Sequence, residues 1–139
     1  MSDAEERLTP AGDASALTRV EFFIPGKPAP ASRPRVEGGR VHYARRYEEW
    51  RQRAKVEILA QCGRLLWTGD LEVSIVFVGA DRRADIDNLL KAVLDAAEGI
   101  IYENDKQVKV IGATLISAPR NAKDLGVYGT MQLIKEVLG

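Results

Sequence analysis

The stretch Leu71–Val78, LEVSIVFV, alternates apolar and polar residues at its start and becomes apolar on both faces by its end. That is the pattern of a strand near the middle of a sheet. The flanking segments add helical and strand periodicities. Residues 47–66 place Trp50, Ala54, Ile58 and Gln61 or Cys62 at helical spacing, with Gly63 near the end. After Asp87 and Asn88, both N-cap residue types, Leu89, Leu90, Val93, Leu94 and Ala97 form a second helical stripe that Gly99 stops. Residues 20–24 run as a short strand into Pro25-Gly26, while residues 107–117 and 126–135 are β-rich and expected to pair as a hairpin around Pro119-Arg120-Asn121. The order β, basic ribbon, α, β, α, β, β predicts an α/β (α+β) domain over residues 19–139: one mixed sheet with helices packed on it. Residues 1–18, rich in Ala, Asp, Glu and Ser without apolar periodicity, read as a disordered tail.

A chain of 139 residues fits a single such domain. Its 20 Lys+Arg balance 20 Asp+Glu, which excludes a uniformly basic nucleic-acid coat but not a basic patch facing an acidic site. One cysteine, Cys62, and one histidine, His42, exclude an intrachain disulfide and a Cys/His zinc cluster. No apolar run approaches the ~20 residues of a membrane span. The acidic N-terminus lacks the apolar region of a signal peptide, so the expectation is a cytoplasmic protein with no membrane partner.

Charge is indeed segregated. Residues 26–46 carry Lys27, Arg33, Arg35, Arg40, Arg45 and Arg46 against one acid, Glu37. Pro28, Pro30 and Pro34 forbid a helix there, and Gly38-Gly39 suggests a turn between two extended arms. Such a ribbon suits a polyanion such as DNA, with Arg82 and Arg83 adding charge further along. Any single Arg in it also fits a solvated loop. Tyr43, Tyr47 and Trp50 are candidates for stacking on bases, with core packing the alternative for Trp50.

The candidate chemistry lies in Asp85-Ile86-Asp87-Asn88-Leu89-Leu90-Lys91. If the backbone is extended through Asp85 and helical from Asp87 or Asn88, the two carboxylates converge, and Lys91 lies one turn along on the same face. Oxygen-only ligands of this kind suit Mg²⁺ or Mn²⁺. Asp105, ahead of a strand expected to run beside Leu71–Val78, is the candidate third acid, with Glu103 and Asp95 in reserve. The same residues also fit a plain ion-pair network, in which Asp87 and Lys91 form an i,i+4 pair. An EF-hand is excluded, because Leu90 and Ala96 stand where its Gly and Glu belong.

Taken together, Pro25-Gly26-Lys27-Pro28, Arg33-Pro34-Arg35, Asp85-Ile86-Asp87-Asn88-Leu89-Leu90-Lys91, Asp95, Gly99-Ile100-Ile101-Tyr102 and Asp105-Lys106-Gln107-Val108 resemble the RusA-type Holliday junction resolvases. The likeness runs from about Val20 to the final strand. Ala84 stands where family members often carry a basic residue, with Arg83 one step earlier. The resemblance implies a homodimeric, Mg²⁺-dependent endodeoxyribonuclease that resolves four-way DNA junctions by paired nicks. By position it implies Asp85, Asp87 and Asp105 as metal-binding catalytic acids and Lys91 as catalytic lysine. Rival readings are a nuclease for flaps, forks or single strands, an inactive junction-binding protein, and a small-molecule phosphatase.

Overall fold

The computed structural model describes residues 17–31, 35–42, 45–117 and 121–135. The chain forms β1 (Arg19–Pro25), a ribbon of β2 (Arg35–Glu37) and β3 (Arg40–His42), α1 (Arg45–Cys62), β4 (Leu71–Val78), α2 (Ile86–Ala97), β5 (Val108–Ile116) and β6 (Gly126–Leu133). Single 3₁₀ turns, Asp105–Gln107 and Ala122–Asp124, precede β5 and β6. Of the tail expected over residues 1–18, residues 1–16 lie outside the described residues. Thr18, just before β1, accepts from the Leu133 amide at 2.8 Å.

The main sheet has the order β1-β6-β4-β5, with β6 antiparallel to both neighbours and β5 parallel to β4. The expected mixed sheet with helices packed on it is thus what forms. The expected hairpin of the last two strands does not, because they flank β4 on opposite sides. With β1 held beside β6, making β5 and β6 neighbours would push β4 to an edge. β4 buries Leu71, Val73, Ile75 and Phe77 to 1% exposure or less, and that burial needs a strand on each side.

In register with those four side chains stand Val20, Phe22 and Ile24 on β1 and Val127 and Met131 on β6. Together they make one apolar face, with Glu72, Ser74, Thr130 and Gln132 on the other. Helix α1 adds Tyr47, Trp50, Ala54 and Ile58 to the core at the predicted spacing, and α2 adds Leu89, Ala92, Val93, Ala96 and Ala97. Burial of Tyr47 and Trp50 corrects their candidacy for base stacking; Tyr43 lies outside the described residues. The turn at Gly38-Gly39 forms as expected, both glycines at positive φ (57° and 80°), which suits a tight hairpin between β2 and β3.

The two sheet edges are treated differently. On β1, the Gln61 side chain accepts from the Phe23 amide at 2.8 Å and donates to the Phe23 carbonyl at 2.7 Å, closing that edge with a side-chain amide. Among the described residues nothing does the same for the outer edge of β5.

At Gly129 the sheet admits no side chain, because a Cβ there would overlap the ring of Phe22. Gly129→Ala is expected to cost about 1–3 kcal/mol through overpacking, read as a lower urea midpoint at unchanged slope.

Candidate metal and nucleic-acid site

Helix α2 begins at Asp85. This residue is extended (φ −81°, ψ 123°), and its Oδ1 accepts from the Asp87 amide at 3.0 Å. The cap falls two to three residues earlier than Asp87 or Asn88, because an extended Asp85 already offers its carboxylate to the first free N–H groups. The predicted change from extended to helical backbone is present. It puts the Asp85 and Asp87 side chains, both exposed, at the positive end of the helix dipole.

Lys91 is exposed one turn further along. Its Nζ lies 3.8 Å from Asp95 Oδ2, so its ion pair runs forward to Asp95 rather than back to Asp87. The same Asp95 oxygen accepts from the Tyr47 hydroxyl at 2.8 Å. Burial first, then this hydrogen bond to a carboxylate, push the Tyr47 hydroxyl far above its ordinary pKa, so it stays a donor. Asp95 therefore joins α1 to α2, and the reserve ligand is a structural anchor.

Asp105 stands in the 3₁₀ turn ahead of β5, and the turn is fixed from both sides. The Asn104 side chain caps it, accepting from the Lys106 amide at 2.8 Å. Gln107 accepts from the Glu103 and Asn104 amides at 3.0 and 2.8 Å, and donates to the Trp67 and Gly69 carbonyls at 2.8 and 2.9 Å. Neighbouring Tyr102 donates its hydroxyl to the Leu94 carbonyl at 2.8 Å, near the C-terminal end of α2. Its pKa is driven sharply up by burial, then by the negative charges of Glu98, Asp105 and Asp95. Asp105 thus belongs to the C-terminal end of α2, and Asp85 to the other.

Parallel pairing explains the separation. β5 runs beside β4 as expected, but Leu71 pairs with Val108 and Val78 with Ile116. The start of β5 is therefore level with the start of β4, whereas Asp85 follows the end of β4. The 12 residues of α2 span the interval, roughly 18 Å at 1.5 Å per residue. Among the described residues no group of three or more His, Cys, Asp or Glu gathers to hold a metal ion. Oxygen donors suit Mg²⁺ in kind, and the Asp87 and Asp105 carboxylates have no hydrogen-bond or ion-pair partner among the described residues. In number, the acids that one chain brings together do not make a three-carboxylate cage.

The basic residues divide among three places. Gly26, Lys27 and Ala29 face Arg46, Glu49, Trp50 and Arg53 of α1 across a groove of about 310 Å³. Arg53 was not a sequence candidate. Its signal was the seven-residue interval from Arg46, two helical turns, which sets both guanidinium groups on one face. Trp50 Nε1 is buried and has no hydrogen-bond partner among the described residues. Arg82 and Arg83 instead stand exposed in the loop between β4 and α2, where Asp81 Oδ1 accepts from the Arg83 amide at 3.1 Å. Arg40 and Arg45 are exposed, Arg45 pairing with Glu49 at 3.0 Å, and Arg35 opens β2. Arg33 lies outside the described residues.

Capping and any chemistry of Asp85 are separable. Asparagine caps as well as aspartate, so Asp85→Asn is expected to keep wild-type stability, whereas Asp85→Ala loses about 1 kcal/mol. Thermal denaturation of the two variants makes the comparison.

The family model for endodeoxyribonuclease RusA matches residues 25–124, from the last residue of β1 to the turn before β6. No curated protein matches the chain. Among the described residues no helix is long and apolar enough to cross a membrane. The matched segment holds the groove at Lys27, the capped acids at the start of α2, the glutamine-pinned turn at Asp105 and the strands that fix their separation. The chain belongs to the RusA endodeoxyribonuclease family.

Proposed function

We propose that this chain is a Mg²⁺-dependent endonuclease that resolves four-way DNA junctions by paired nicks, and that it acts as a homodimer. The observation that carries the reading is the exposed Asp85–Asp87 pair at the N-terminus of α2 in a chain of the RusA family. The positive end of a helix dipole attracts a phosphate, and two carboxylates beside it attract a cation that the phosphate shares.

In this reading Asp85 and Asp87 of one copy and Asp105 of a second copy hold the ion, since α2 keeps Asp105 apart from the other two within one chain. The bound ion would supply polarisation of the scissile phosphate and a water acidic enough to attack near neutral pH. Lys91 brings positive charge to the same helix face and favours the extra negative charge of the transition state. The groove at Lys27, Arg46 and Arg53, with Arg82 and Arg83, holds the backbone through phosphate contacts that carry no base sequence. Two sites related by a twofold axis suit two symmetric cuts in a junction that is itself twofold.

The direct test is a labelled mobile four-way junction, incubated with Mg²⁺ or with chelator, beside flap and three-way substrates. Expected is paired nicking of the four-way junction with Mg²⁺ only; equal or faster cutting of flaps would overturn the junction assignment. Asp87→Asn and Asp105→Asn should each abolish cleavage and retain junction binding. Mixed under subunit exchange, these two variants should recover about a quarter of wild-type nicking, because half the dimers then contain one intact site of two. A mixture as inactive as its components would show that the acids work within one chain.

Arg53→Ala should weaken binding to all DNA sequences alike and reduce the salt dependence of log K by about 0.9, the release of roughly one counterion. Binding titrations at several salt concentrations give the slope.

A further inference from the structure

We infer that Asp95 is a positioning residue for Lys91: it draws the ammonium group forward along α2 and so keeps it from pairing with Asp87, which is left open for a cation. The inference rests on the reading above that Asp85 and Asp87 hold the metal ion.

Asp87, Lys91 and Asp95 follow one another at intervals of four along α2, so Lys91 has one acid a turn behind it and another a turn ahead. The two are not equivalent. On an isolated helix the better pair has the acid on the N-terminal side of the lysine, and Lys91 should lean back to Asp87. In the structure it leans forward. Its Nζ lies 3.8 Å from Asp95 Oδ2, and no ion pair joins it to Asp87 among the described residues.

What reverses the preference comes from the neighbouring helix. The Tyr47 hydroxyl of α1 donates to the same Asp95 Oδ2 at 2.8 Å, and burial keeps that hydroxyl protonated. Lys55, also on α1, reaches the Asp95 carbonyl at 3.5 Å. The Asp95 side chain is only 24% exposed, whereas Asp87 is exposed and no other side chain orients it. A carboxylate already held in place loses less freedom when it pairs, and shelter from water strengthens its pull on a cation.

The consequence falls on Asp87. An ammonium group seated there would have to be displaced by an incoming divalent ion and would repel it meanwhile. Held forward, Lys91 leaves that carboxylate open. Its own contact with Asp95 is longer than a hydrogen bond, and its side chain is 63% exposed, so the pair is weak enough to yield to a phosphate. Asp95 thereby assigns Asp87 to the cation and Lys91 to the substrate without touching either ligand.

Mn²⁺ binding to the whole protein, read from the paramagnetic resonance of the free ion, tests this without cleavage. Asp95→Asn keeps an oxygen for the Tyr47 hydroxyl, and it should weaken Mn²⁺ binding about two- to fivefold, the worth of an exposed ion pair. Lys91→Met should change affinity little in the wild-type background but restore it in the Asp95→Asn background. Two charges acting independently through space would give the same factor in both backgrounds, and such additivity would overturn the inference. Tyr47→Phe, which leaves Asp95 charged but less firmly held, should give a smaller loss that Lys91→Met also removes. A loss that persists without Lys91 would overturn the inference, and this variant decides alone if circular dichroism shows Asp95→Asn unfolded. In cleavage, Asp95→Asn should raise the Mg²⁺ concentration for half-maximal rate more than it lowers the rate at saturating Mg²⁺; the reverse would mark Asp95 as structural only. Failure of the metal reading has a different signature: Asp87→Asn would bind Mn²⁺ as tightly as wild type. Loss of binding in Asp87→Asn, with additive effects at positions 91 and 95, would retain the metal reading and sink this one.

Discussion

The parallel ladder between β4 and β5 is the constraint from which most of this molecule follows. Parallel neighbours cannot be joined by a tight turn, so the chain must travel back along the sheet between them. Here it does so as α2, whose buried Leu89, Ala92, Val93, Ala96 and Ala97 help close the core. The crossover that supplies this packing also fixes where chemistry stands. Whatever caps the start of α2 is at one end of the sheet, and whatever leads into β5 is at the other. Asp85 and Asp105 are those two residues, and their separation is a consequence of strand direction rather than of any local choice.

Much of this was legible in the sequence. β4 announced itself by its apolar pattern, the helices by their stripes, and the ribbon by Pro, Gly and Arg. The extended-to-helical change at Asp85 was legible too, because Asp and Asn favour the cap. Strand order was harder to read. Periodicity reports which face of a strand is buried, not which strand lies beside it, and two β-rich segments joined by Pro119-Arg120-Asn121 look alike whether they pair or flank a third. The placement of Asp105 followed the same limit. Its strand was correctly expected beside β4, but spacing along a chain carries no sign for direction, and direction decided the geometry. Arg53 was missed for a simpler reason: it lies within a helix whose other residues already had an assignment.

Residues whose type suggested function also turn out to divide their labour. Asp95 and Tyr47 join the two helices, with the tyrosine held protonated by burial and by its carboxylate partner. Gln107 uses both ends of its amide, accepting two backbone N–H groups and donating to two carbonyls. A glutamate there would lose both donations, and a leucine all four bonds. Gln107 therefore holds the loop before β4 against the turn that carries Asp105. That is structural work, done where the position of a carboxylate has to be held.

The zero net charge hides one local concentration of cations and another of acids. Lys27, Arg46 and Arg53 gather beside α1, while Asp85 and Asp87 stand at the head of α2. On the two-copy reading this has a regulatory consequence. A lone chain presents only two of the three acids at one place, a weak site for a cation that keeps most of its water. Pairing completes two sites at once, related by the axis that relates the arms of a junction. Cutting capacity is then coupled to assembly: a chain without its twin holds phosphates but lacks the full donor set. Two cuts become available together because one association event builds both centres.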